Sequence, residues 1–137
     1  MADIIGTIID AAAKLFGLRG ELSKARKERK QEVADFLAAI GKNIEEVSAS
    51  LKQGQYPHGG CQVLLTHSQM MEQAIGDLVG EVRAREIANQ LREVWEIERL
   101  HAEMGAMSPP EKQRSLDALD QGAGLFSATA DIVRVSP

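Results

Sequence analysis

Apolar residues recur at intervals of three and four along most of the chain, the spacing of one face of an α-helix. The pattern is densest at 2–18, ADIIGTIIDAAAKLFGL. Wound at about 100° per residue, Ile4, Ile5, Ile8, Ile9, Ala12, Leu15, Phe16 and Leu18 fill about half the circumference. Asp3, Thr7, Asp10 and Lys14 fall on the other side. Gly17 and Gly20 punctuate the end of this helix 1. Helix 2 is expected over 21–53, roughly 50 Å of rod, with Val33, Leu37, Ile40, Ile44, Val47 and Leu51 as a heptad-like seam and Phe36 beside it. QGQYPHGG (53–60) has the Gly and Pro content of a loop.

Helix 3 is expected over 59–80, on the stripe Cys61, Leu64, Ser68, Met71, Ile75, Leu78. A turn at 79–83, marked by Gly76 and Gly80, keeps helices 3 and 4 from forming one rod of roughly 70 Å. Helix 4 is expected over 83–106, with Ile87, Leu91, Val94, Leu100 and Met104, and with Trp95 as a core anchor. Ser108-Pro-Pro-Glu111 reads as a capping box: Ser at N-cap, Pro at the first helical position, Glu at N3. It starts helix 5, 109–134, which Gly122 and Gly124 should kink or fray. The fold class expected is all-α. It is a single domain, an antiparallel four-helix bundle with an additional C-terminal brace helix.

Composition agrees: 137 residues with 44% apolar and 26% charged side chains are ordinary globular values, long enough for a core without staples. The single cysteine, Cys61, has no internal disulfide partner and fits a reducing compartment. No signal peptide and no uninterrupted apolar span of membrane length is present, so a cytoplasmic location is expected. Net charge is −4, but residues 1–30 hold seven basic and four acidic side chains while 31–137 hold nine and sixteen. That balance speaks against general nucleic-acid binding and for one oriented contact with something anionic.

Extended backwards, the helix 2 stripe carries Leu22, then Arg26 and Arg29 at the angles of later Val33, Ile40 and Val47. Guanidinium groups are rarely left unpaired in a core. Either this end of the helix projects from the bundle or acidic partners meet it. The run Lys24, Arg26, Lys27, Arg29 and Lys30, opposed only by Glu28, reads either as a solvated helix end or as a patch for lipid headgroups. Helix 1 likewise reads either as an ordinary bundle helix or as an amphipathic segment that enters a membrane surface.

Catalytic and metal chemistry find little support. His58-Gly-Gly-Cys61 lacks the second ligand pair of a structural zinc site. Glu98-x-x-His101 lacks the second motif of a di-iron bundle. Cys61, near a helix N-terminus, reads more simply as an inert half-buried thiol. No enzymatic activity, metal or cofactor is therefore expected.

The layout resembles the four-helix bundle of MLKL-type necroptosis executioners and the related HeLo and Bell cell-death domains of fungi and bacteria. The likeness spans residues 1–107: a short apolar first helix, a long second helix opening on a basic run, a Gly/Pro loop, then two further helices. Its most specific stretch is IANQLREVWEIERL (87–100), with Leu91, Val94 and Trp95 in corresponding places. The resemblance implies permeabilisation of membranes after activation and self-association, as a cytoplasmic protein moving to the inner face of the cell membrane. By position, Ile4, Ile5, Ile8, Ile9, Leu15 and Phe16 would insert, while Lys24, Arg26, Lys27, Arg29 and Lys30 would engage anionic lipid. An upstream regulatory partner would restrain the bundle. The alternative is a non-enzymatic adaptor or homo-oligomerisation module that packs helix 1 on a partner.

Overall fold

The computed structural model of the chain describes residues 4–93 and 95–137; the side chains of Ile4, Ile5, Trp95, Glu96, Glu98 and Arg99 lie outside the described set. Among the described residues the fold is all-helical. Its elements are α1 (Ile4–Gly17), α2 (Arg19–Leu22), α3 (Lys27–Lys52), α4 (His58–Val79), α5 (Glu81–Arg92), α6 (Trp95–Met104) and α7 (Pro109–Val135).

One core runs through all of them. Leu37, Ile40, Ile44 and Leu51 of α3 meet Leu64, Met71 and Ile75 of α4, Ile87 of α5 and Phe126 of α7, all at most 1% exposed. Each fully buried side chain of this size contributes about 1.5–3 kcal/mol. The principal neighbour of α7 is α3, and its next is α1. The first helix is therefore laid on the last, and α7 runs unbroken through Gly122 and Gly124, where a kink or frayed end was expected. Ser108 caps α7 as its sequence requires, its hydroxyl accepting from the Glu111 backbone N–H at 3.4 Å, with prolines at N1 and N2. Gly80, at φ 93°, makes the turn between α4 and α5, a conformation that residues with a Cβ rarely adopt.

Two expected rods are broken. Helix 2 is not continuous over 21–53: the chain leaves the helical path at 23–26, and Arg26 is an extended N-cap residue at φ −63°, ψ 156°. A continuous helix would set Lys24 beside Lys27, and Arg26 beside Arg29 and Lys30, as like-charge neighbours three and four apart. The break takes Lys24 off the helix that carries Lys27 and leaves both Leu22 and Ala25 buried. The charged stripe through Leu22, Arg26 and Arg29 therefore does not exist as one seam. Helix 4 is likewise split into α5 and α6, with Arg92 the last residue of one and Trp95 the first of the other. Trp95's expected role as a core anchor lies outside the described residues. Ile97, Leu100 and Met104 are the described side chains that bury α6.

Candidate functional site

The candidate site joins α1 to the basic turn that follows it. On α1, Ile8, Ala11, Ala12 and Leu15 are buried to within 1% of full exclusion from solvent, whereas Ile9 and Phe16 are half-buried along the edge of that face. Ile4 and Ile5 of the expected inserting set have side chains outside the described residues. Ile8, Ala12 and Leu15 of the apolar arc are thus spent inside the fold, where α1 packs against α7, α5 and α6. Gly122 of α7 makes the nest. A Cβ there would lie 3.2 Å from Ile8 Cγ2 and 3.9 Å from Ile9 Cγ1, so the missing side chain is what allows α1 to sit so close.

A polar clasp closes the opposite edge of α1. Lys14 Nζ lies 3.2 Å from Asp10 Oδ2 and donates to Gln90 Oε1 at 3.3 Å, and Gln90 Nε2 donates to Asp10 Oδ2 at 2.5 Å. The Gln90 hydrogen bond, followed by the Lys14 ammonium, holds the Asp10 carboxyl below the usual aspartate range. Asp10 is exposed and Lys14 and Gln90 are half-buried at the surface, so the clasp orients α1 more than it stabilises it. At the end of α1, the Arg19 guanidinium stacks 4.3 Å over the Phe16 ring and donates to the Phe16 carbonyl.

The five basic residues divide into two kinds. Arg29 donates to the Ala74 carbonyl and to Asp77 Oδ1, both at 2.7 Å, in the last turns of α4. Lys30, only 8% exposed, donates to the carbonyls of Ser136 and Pro137 at 3.1 and 2.6 Å, at the end of α7. Both cations therefore sit at the C-terminal end of a neighbouring helix, the negative end of its dipole: Arg29 on the last turns of α4, Lys30 on the two residues just beyond α7. The expected acidic partner exists for Arg29, in Asp77; the partners of Lys30 are backbone oxygens. Lys24, Arg26 and Lys27 are exposed, and no carboxylate pairs with them among the described residues. Lys27 and Lys30, with Ala25, Gln31, Arg134, Ser136 and Pro137, line a surface pocket of about 520 Å³.

This division fixes the first prediction. Lys30→Met keeps the buried stem and removes the ammonium, so it should lower stability by about 1–2 kcal/mol. Lys27→Met should leave stability within about 0.5 kcal/mol. Denaturant midpoints of the two variants check it, and equal midpoints would contradict the anchoring role of Lys30.

The other candidate residues do not assemble into a reactive centre. Burial pushes the Cys61 thiol up, against a smaller opposing effect of a Tyr56 hydrogen bond, so a helix N-terminal activation of the thiol is not what this environment produces. His58 packs edge-on to Tyr56, with centroids 4.3 Å apart, and His101 meets the same ring at 5.7 Å and contacts the Gly54 carbonyl at 3.1 Å. Glu98 of the Glu-x-x-His pair lies outside the described side chains. Burial lowers the His67 pKa, and His67 packs edge-on against Phe36. Among the described residues, no group of three or more His, Cys, Asp or Glu gathers as a metal site would require. No helix among them is long and apolar enough to cross a membrane. No protein-family model, curated protein or solved structure matches the chain.

Two features of the site were not foreseen. Gly122 was read only as a weak point of its own helix, and Gln90 carried no signal at all. That Gly122 faces α1 is visible only once α7 is known to lie beside it.

Proposed function

We propose that this chain is a non-enzymatic, membrane-targeting and membrane-permeabilising domain of the cell-death type, of use in bacterial immunity. In this reading it is an antiparallel four-helix bundle braced by α7. It rests in the cytoplasm under a regulatory partner and moves to the inner face of the cell membrane on activation, where copies self-associate. The observation that carries the reading is the trio Lys24, Arg26 and Lys27, exposed and without a carboxylate partner among the described residues, in the segment that follows the apolar α1 and the short α2. Three cations held within one turn of chain suit an anionic surface, and their position would bring α1 to that surface.

The energetics require a trigger. Ile8 and Leu15 alone hold α1 to the fold by about 3–6 kcal/mol, which keeps its detached form at about one part in 10²–10⁴ in water. Acyl chains offer the same apolar environment as the core, so a membrane contributes a comparable term to the detached form. Release therefore becomes accessible only where lipid is already held nearby, which is the role the reading gives the basic turn.

The burial of Ile8, Ala11, Ala12 and Leu15 favours a second reading, in which α1 is a permanent part of a helical adaptor or homo-oligomerisation module. Dye-loaded vesicles separate the two. The full chain should float with anionic vesicles, release their dye, and do neither with zwitterionic ones. Absence of leakage and of flotation at low salt, with α1 amides protected as long as those of α3, would leave only the adaptor.

A further inference from the structure

Residues 53–71, QGQYPHGGCQVLLTHSQMM, contain no Asp, Glu, Lys or Arg in a chain of which 26% is charged. This stretch is not buried away. It forms the loop before α4 and the first fourteen residues of that helix, from His58 to Met71. Cys61, Leu64, Ser68 and Met71 face inward, while Gln62, Val63, Thr66, Gln69 and Met70 face solvent. Val63 and Met70 are each 47% exposed and lie two turns apart on one face. The outer faces of the neighbouring helices are ordinary by comparison. Glu32, Asp35, Lys42, Glu45 and Glu46 stand out from α3, and Glu81, Arg83, Arg85 and Glu86 from α5. A solvent-facing helix stripe stripped of charge and carrying Met and Val has the composition of an interface centre, where Lys, Glu and Asp are depleted.

We infer that this face of α4 packs against the same face of a second copy of the chain. Charge decides the occupant. A basic or acidic partner finds nothing along 53–71 to complement, whereas a two-fold contact of the face with itself sets no like charges together. An antiparallel α4–α4 contact centred near position 68 matches face to face. Thr66 of one copy meets Met70 of the other, Val63 meets Gln73, and Gly59 meets Asp77. The last pairing brings a carboxylate to the first turn of the opposite α4, where no side chain caps the helix and the dipole is positive. Gly59 leaves open space there, with nothing within 4 Å of where its Cβ would be. The charge-free part of α4 is only about 20 Å long. That is short of the roughly 800 Å² per partner of a tight dimer, so the association is weak and reversible, in the micromolar to millimolar range.

The inference stands apart from the membrane reading, because it concerns the chain without lipid. Sedimentation equilibrium of the full chain, carried to about 1 mM, should show the mass rising from monomer towards dimer. Val63→Lys with Met70→Lys places four ammonium groups around the two-fold axis and should weaken association by at least roughly tenfold. Gln121→Lys, on the exposed side of α7, should leave association as it was. All three positions are exposed, so thermal melts of the variants should overlay that of the parent chain. A parent chain that stays monomeric to the highest concentration overturns the inference. So does a dimer that the double substitution leaves intact.

Discussion

Gly122→Val should loosen α1 selectively, while Gly124→Ala, two residues along the same helix, should tighten the fold. The two glycines differ only in what lies opposite them. A Cβ at 122 stands 3.2 Å from Ile8 Cγ2, and valine's branched carbons would be driven into Ile8 and Ile9. Overpacking of this kind costs about 1–3 kcal/mol. The strain sits at one interface, so it raises the detached population of α1 by about 5- to 150-fold. At 124 nothing lies within 4 Å of the Cβ position, and the residue is exposed. Alanine there gains about 1 kcal/mol of helix propensity without touching a neighbour. Hydrogen exchange resolved by residue is the measurement. Amides of α1 should exchange faster in Gly122→Val while those of α3 and α4 keep their protection, and dye release from anionic vesicles should rise in step. Uniform acceleration across every helix would mean that α1 opens only with the whole fold, and the proposed release would be lost with it.

The same comparison shows what a linear reading of this chain can and cannot reach. Signals that act over a few residues were legible. Ser108-Pro-Pro-Glu111 starts a helix because its groups satisfy one another locally, and Gly80 turns the chain because its own backbone permits φ 93°. The apolar arc of α1 was legible too, since it depends only on helical angle. Its fate was not, because an amphipathic arc states which face is buried and leaves open what covers it. The breaks at 23–26 and after Arg92 had no Gly or Pro to announce them. The first follows from crowding of like charges together with the demand that Leu22 and Ala25 both face inward, a condition set by the assembled core.

The basic run illustrates the limit most directly. Arg29 falls on the extended apolar stripe and Lys30 in the basic run beside it. They are placed by helices forty and a hundred residues away, whose C-terminal ends they meet. No spacing within 24–30 separates these two from Lys24, Arg26 and Lys27. Only the antiparallel arrangement of α3 with α4 and α7 does so. Charge that is committed to the fold and charge that is exposed to solvent thus lie side by side within seven residues.

That separation makes the strongest functional prediction possible without injuring the fold. Lys24→Glu, Arg26→Glu and Lys27→Glu together should reduce affinity for anionic vesicles by on the order of 100-fold, at about 1 kcal/mol per lost cation and more for each reversal. The fold should tolerate the change. All three side chains are exposed, and acidic groups at the start of α3 favour its dipole where basic ones oppose it. Neutralising Arg29 and Lys30 instead should lower the melting temperature and change vesicle affinity far less. Salt supplies an independent control: at about 1 M the screening length falls to about 3 Å, so flotation of the parent chain should drop towards that of the triple variant. Equal flotation of the parent and the triple variant at low salt would show that the exposed turn does not hold lipid. The apolar helix beside it would then have no means of arriving at a membrane, and its burial against α7 would be its whole purpose.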